Sequence, residues 1–175
     1  MPLLRLLRRG LDFTYLVAGI IAALSLIAIL SLIVLQMLAR WTGEVFPGAP
    51  DYAGYAMASA SFFALAYALN HGAHIRVTLM LSNMGRWRRW GEIWATGIAA
   101  VIATFFARYA IKANYWSEKL RDISQGQDAT PLWIPQLSMS IGTVLLAIAL
   151  WDHVIRLIFT THAGVMEQDI TERTE

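Results

Sequence analysis

The sequence has no cysteine among its 175 residues. Disulfides, thiolate metal sites, iron–sulfur clusters and cysteine nucleophiles are therefore excluded. Charged residues are also scarce, at 15% of the chain, whereas soluble domains contain roughly 25%. The chain is instead 57% hydrophobic, and its apolar residues are gathered into long runs. This composition predicts a polytopic membrane protein and gives no indication of a nucleic-acid-binding surface.

Four apolar segments are long enough to cross a bilayer, which predicts an all-α, integral membrane four-helix protein. We expect one membrane domain over residues 1–175. The first apolar run, Leu16 to Leu38, exceeds the core of a signal peptide, which is about 7–15 residues, and predicts an uncleaved helix. The predicted helices cover about 13–39, 51–70, 90–112 (extending to about 124) and 132–151 (extending to about 159), followed by a frayed tail at 164–175.

Positive charge predicts the orientation of the helices. The N-terminal segment has three arginines and the second loop has four, whereas the first loop has one. The third loop has three basic residues, balanced by three acids. Because Lys and Arg are enriched in cytoplasmic loops, both termini and the second loop are predicted to be cytoplasmic. The predicted membrane-interface anchors are Arg86, Arg88, Arg89, Trp41, Trp87, Trp90, Trp116 and Trp151.

Alanines recur at four-residue spacing on the second and third predicted helices. The positions that we assign to helix packing are Ala56, Ala60, Ala64, Ala95, Ala99 and Ala103. Small residues at this spacing let helix backbones approach closely in a membrane. We therefore predict that helices 2 and 3 pack closely, either on each other or on a partner; the alternative is that alanine is simply common in membrane helices.

No ionisable residue falls in the middle of a predicted span. Such a residue costs about 2.5–3.5 kcal/mol to insert and usually marks a transport or catalytic site. Glu92 and Arg108 lie within about one turn of the ends of helix 3, so their side chains can reach the interface. No span is broken by proline or glycine at the midplane, as ion sites of transporters often require. We expect no catalytic, substrate, cofactor or metal site in this chain, and no enzyme activity.

The four histidines suggest one alternative function. His71, His74, His153 and His162 all lie at predicted inner ends or beyond them. Membrane cytochromes hold haem between histidines of facing helices, so a membrane anchor of a haem b redox enzyme is one alternative. A stand-alone four-helix structural membrane protein is another. Interfacial histidines that bond to backbone, lipid or a partner are the simpler interpretation.

Two short sequence patches carry a family resemblance. The first lies in the acid-free stretch Asn70–Arg89, which predicts an amphipathic interfacial segment between helices 2 and 3. It begins N-H-G-A-H-I-R-V-T. The second patch is T-P-L-W-I-P at Thr130–Pro135, followed by Gly142. With the helix count and loop lengths, these patches resemble the small membrane subunit (DctQ-like, small permease) of tripartite ATP-independent periplasmic (TRAP) transporters.

In that family the second helix ends in a His-Ile-Arg/Lys-Val-Asp pattern. Here His74 to Val77 match the pattern, and Thr78 replaces the usual Asp. The resemblance implies that His74 and Arg76 lock the turn after helix 2. The residues that it assigns to structural or partner contact are His74, Arg76, Asn70, Trp133, Pro135 and Gly142.

The resemblance also implies partners and a function. The partners would be a large multi-helix membrane subunit that holds the substrate and sodium sites, a periplasmic substrate-binding protein and membrane lipids. This chain would be an accessory subunit in the bacterial inner membrane, with no cofactor of its own. The whole transporter would take up an organic acid, such as a dicarboxylate, keto acid or sialic acid, using a sodium gradient.

Overall fold

The computed structural model describes residues 2–70 and 88–159. These residues form four α-helices and no strand: α1 (Pro2–Thr42), α2 (Ala49–Asn70), α3 (Arg88–Leu120) and α4 (Trp133–Phe159). All four helices are long and apolar enough to cross a membrane. The all-α, four-helix membrane fold is therefore confirmed. The predicted interfacial segment between the second and third helices falls outside the described residues.

The first helix is much longer than a perpendicular crossing requires. Its 41 residues extend over about 60 Å at 1.5 Å per residue, whereas the hydrocarbon core is about 30 Å thick. The basic N-terminal segment forms the first turns of this same helix. Apart from Pro2, α1 contains no proline that would interrupt it.

Helices α1 and α3, which precede the two described loops, have the same kind of C-terminal cap. The Glu44 N–H donates to the Ala39 carbonyl at 2.9 Å, and Gly43 adopts a positive φ of 79°. The Asp122 N–H donates to the Ser117 carbonyl at 3.0 Å, and here the residue with positive φ is Arg121, at 53°. Both arrangements are Schellman caps, which satisfy the last carbonyls of a helix and favour glycine at the left-handed position.

The helices contact one another in the order α1–α2–α4–α3. Helix α4 is therefore central: 39% of its membrane-spanning window is buried, against 11% in α1. Among the described residues, α2 and α3 both pack on α4 and have no extensive interface with each other. The close packing predicted for these two helices is therefore made with other helices of the same chain: α2 packs on α1 and α4, and α3 packs on α4.

Small residues allow these close approaches. A Cβ atom at Gly142 of α4 would lie 2.6 Å from the Phe62 Cβ and 2.8 Å from its carbonyl carbon, so α2 and α4 need a glycine there. A Cβ atom at Gly19 of α1 would overlap the Tyr67 ring of α2. Because lipid offers no hydrophobic driving force between helices, such backbone proximity is the main source of packing energy.

The outer faces of the bundle are apolar, as a lipid environment requires. Helix α1 exposes a continuous aliphatic surface that includes Leu24, Ile27 and Leu30, each about 60% exposed. Its two exposed serines donate their hydroxyls to carbonyls one turn back, Ser25 to Ile21 and Ser31 to Ile27, both at 2.9 Å. These polar groups are therefore satisfied within the helix and compatible with hydrocarbon.

Candidate functional site

The two described loops meet at one end of the bundle, which we call the loop end. The loop junction comprises residues 43–51 and 121–132, together with Tyr55. The α3–α4 loop closes on itself through an antiparallel bridge between Ile123 and Pro131. The Ser124 N–H donates to the Thr130 carbonyl at 2.8 Å, and the Leu132 N–H donates to the Asp122 carbonyl at 2.9 Å. Hydrogen bonds within the loop thus stabilise its shape, in addition to its contacts with α2.

Asp51 joins the α3–α4 loop to helix α2. It lies in the first turn of α2, where a carboxylate interacts favourably with the helix dipole. Its Oδ2 atom accepts the Gln127 N–H at 2.9 Å. A Cβ atom at Gly126 would overlap the Asp51 carboxylate. A larger residue at position 126 would therefore require the carboxylate to move away from its present position.

Tyr55 makes the second connection, one turn further along α2. Its hydroxyl donates to the Ser124 Oγ at 2.6 Å and lies 3.4 Å from the Asp128 Oδ1. The Ser124 Oγ also accepts the Gly126 N–H at 3.2 Å. Asp51 and Tyr55 thus hold both halves of the loop on α2 with charge-assisted and neutral hydrogen bonds.

Asp128 is the ionisable group at the centre of the junction. A hydrogen bond from the Thr130 hydroxyl, assisted by one from Tyr55, holds the pKa of this carboxyl below its usual value. Gly48 packs beside it: a Cβ atom at Gly48 would lie 3.2 Å from the Asp128 Cβ. Gly48 has a φ of 79°, so both its conformation and its contact favour glycine.

The opposite end of the bundle is held by apolar packing. Tyr15 is 1% exposed and lies in a cluster with residues of all the other helices, including Ala66, Ala100 and Leu150. Within the described residues its hydroxyl has no hydrogen-bond partner. The Asp152–Arg156 ion pair on α4 lies nearby and is partly buried. The two residues are four positions apart on one helix, a spacing at which opposite charges can pair.

A side-chain hydrogen bond connects α3 to α4 close to this cluster. The Trp151 Nε1–H donates to the Thr104 Oγ1 at 2.9 Å, and the Thr104 hydroxyl donates to the Ala100 carbonyl at 2.7 Å. Trp151 is 43% exposed, so it serves both the α3–α4 contact and the apolar surface. Among residues 2–70 and 88–159, no group of three or more His, Asp or Glu side chains could hold a metal ion.

The predicted contact residues fall in three places. Gly142 is buried at the α2–α4 crossing, where Phe62 leaves no room for a side chain. Trp133 and Pro135 are partly buried in the first turn of α4, next to the loop junction. Asn70 is the last residue of α2. His74 and Arg76 lie outside the described residues.

The predicted interface anchors are distributed over both ends of the helices. Trp41 is 80% exposed and Trp116 is 44% exposed, and both lie towards the loop end. Trp90, at the start of α3, is 63% exposed. Arg88 and Arg89 belong to the first turn of α3. Arg86 and Trp87 lie outside the described residues.

The predicted packing alanines differ in how deeply they are buried. Ala60 and Ala103 are each 7% exposed. Ala56, Ala64 and Ala99 are partly buried, and Ala95 is exposed. The buried ridge of α3 runs instead through Ala100, Ala103, Ala107 and Ala110.

Neither Asp51, Tyr55 nor Tyr15 stood out in the sequence as a site residue. Glycine and serine around position 126 do indicate a turn. Gln127 in that turn, however, bonds to Asp51, which lies 76 positions earlier in the chain. No local sequence pattern predicts a contact over such a separation.

Four membrane-spanning helices with a closely packed interior and a structured loop end define an integral membrane protein. Comparison with known families identifies which one: the family described as tripartite ATP-independent periplasmic transporters, DctQ component, matches residues 29–160. The chain belongs to this family, so the resemblance carried by the two sequence patches is confirmed. The family is one of transporter components and not of enzymes. Comparisons with curated proteins and with solved structures found no match.

Proposed function

We propose that this chain is the small accessory subunit of a TRAP-type secondary transporter in the bacterial inner membrane. In this proposal it braces a large multi-helix membrane subunit, which carries the substrate and sodium sites. A periplasmic binding protein delivers an organic acid, such as a dicarboxylate, keto acid or sialic acid, and a sodium gradient drives its uptake. Both termini are cytoplasmic, which places the loop end in the periplasm.

The family match over residues 29–160 carries this proposal. It extends from the middle of α1 to beyond the end of α4 and includes the whole loop junction. The structure adds a physical reason for an accessory role. Hydrogen bonds of Asp51 and Tyr55 hold the α3–α4 loop on α2, whereas the wide apolar faces of α1 and α3 are available for lipid or a large partner.

The loop junction is the part of this chain best suited to meet a binding protein. Asp51 and Tyr55 hold the α3–α4 loop on helix α2, so the surface of the junction keeps one shape. A rigid surface loses little conformational entropy when a partner docks, which favours transient but specific contact. Disrupting the junction should therefore weaken delivery of substrate without removing the chain from the membrane.

Reconstituted uptake tests the proposal. Proteoliposomes would contain the large subunit with or without this chain, and the binding protein loaded with a radiolabelled organic acid would be added outside. We expect uptake to require this chain, the binding protein and an inward sodium gradient, but not ATP. Equal uptake with and without this chain would contradict an accessory role.

The same purified material distinguishes the haem alternative. A Soret band that co-purifies with this chain, and that is lost when His153 and the histidines at 71 and 74 are replaced, would indicate a redox anchor. The transporter proposal predicts a colourless preparation.

A further inference from the structure

We propose that the loop-end half of α3 binds an anionic phospholipid, with its phosphate on Arg108 and Lys112. The residues that form this lipid face follow one another at spacings of three, four or seven along the helix, with one adjacent pair at 115 and 116, so they share one side of it. All of them are exposed. They are Trp94, Val101, Phe105, Arg108, Lys112, Tyr115, Trp116 and Lys119.

The chemistry of this face changes along the helix axis. Trp94, Val101 and Phe105 are 67%, 58% and 61% exposed and form its apolar part. Arg108 and Lys112 follow, one turn apart. Beyond them the Lys119 ammonium lies 5.8 Å from the Tyr115 ring centroid and 5.2 Å from that of Trp116. This order matches the parts of a lipid. The apolar groups would contact the acyl chains, the two cations the phosphate, and the aromatic–cation cluster the headgroup.

The two cations have no partner among the side chains that the structure describes. Neither Arg108 nor Lys112 makes an ion pair or side-chain hydrogen bond with any residue in 8–70 or 90–158. No acid lies on α3 between Glu92 and Glu118. No acid on the same helix is thus close enough to pair with them, and their charge is open to an external anion.

The depth of these cations matches that of lipid phosphates. The uncharged run of α3 from Ile93 to Ala107 extends over about 22 Å at 1.5 Å per residue. This is shorter than the hydrocarbon core of about 30 Å, so Arg108 and Lys112 must reach towards the headgroup layer with their long side chains. A zwitterionic headgroup leaves their charge uncompensated, whereas phosphatidylglycerol or cardiolipin neutralises it.

Native mass spectrometry of the purified transporter complex with added phosphatidylglycerol or phosphatidylcholine tests the site. We expect the complex to prefer phosphatidylglycerol. Replacing one cation should reduce that preference about 5-fold, and Arg108→Gln with Lys112→Gln about 25-fold. Arg40→Gln is the matched control, because Arg40 is an exposed cation towards the same end but on α1. The swap Arg108→Lys with Lys112→Arg keeps both charges and should keep the preference.

Two results would overturn the proposal. One is an unchanged phosphatidylglycerol preference in the folded double Gln variant. The other is loss of the large subunit from that variant at unchanged lipid content, because the face would then contact protein. Neither result depends on uptake activity, so this test can fail while the accessory role stands.

Discussion

At the loop end, α2 is joined to the α3–α4 loop by the Asp51 carboxylate and the Tyr55 hydroxyl. At the opposite end the helices meet through buried alanines around Tyr15, whose hydroxyl has no partner in the described residues. The first region depends on directed hydrogen bonds next to water, and the second on close backbone approach within the bilayer. The difference indicates that packing in the helix core determines how the four helices are arranged, whereas the polar junction determines the shape of the surface at the loop end.

The largest expected effect follows from filling the closest helix contact. Gly142→Ala would push α4 against the backbone of Phe62, and overpacking of this kind costs about 1–3 kcal/mol. Thermal unfolding in detergent micelles, followed by tryptophan fluorescence, should show the loss. Gly97→Ala is the control: nothing lies within 4 Å of its Cβ position, so this change should stabilise α3 by about 0.5–1 kcal/mol. Equal effects of the two substitutions would contradict the packing account.

At the loop junction, Gly126→Ala should cost about 1–2 kcal/mol, because its Cβ displaces the Asp51 carboxylate from the Gln127 N–H. The same substitution in an Asp51→Ala background should cost much less, since the obstructing group is gone. A double-mutant cycle on unfolding free energies measures this coupling. Purely additive effects would show that the two residues act independently.

The end of α3 offers a stabilising change. Arg121 adopts a left-handed conformation at the Schellman cap, so Arg121→Gly should stabilise the protein by about 1 kcal/mol. Arg121→Ala is the matched control, because it removes the same side chain without freeing the backbone. If both variants had the same unfolding free energy, the backbone conformation would not be the cause.

The smallest effect concerns pH. The pKa of Asp128 is lowered from its ordinary value of 3.8 by the Thr130 and Tyr55 hydroxyls, so the folded junction favours the ionised carboxylate. Its stabilisation is therefore complete above the ordinary pKa and is lost as pH falls through the lowered value. The protection factors of the α3–α4 loop amides, corrected for the intrinsic pH dependence of exchange, should fall at acid pH. Asp128→Asn should remove most of that dependence, and an unchanged profile would assign it to another group.

The sequence predicts the elements of this fold better than it predicts their contacts. Long apolar runs predict the four helices, and single-residue signals such as Gly43 and Gly126 indicate turns. The central position of α4 and the Asp51–Gln127 bond could not be predicted, because both depend on which helix neighbours which. Alanine spacing on α2 and α3 indicates a packing face but not its partner, which is α4 for α3 and both α1 and α4 for α2.

The accessory-subunit role can be tested by purifying the tagged chain from its native membrane in mild detergent and identifying co-purifying proteins by mass spectrometry. We expect a large polytopic membrane subunit in stoichiometric amount, retained by wild type and by the loop-junction variant Asp51→Ala. A folded chain that purifies alone, with no such partner, would contradict the accessory-subunit role.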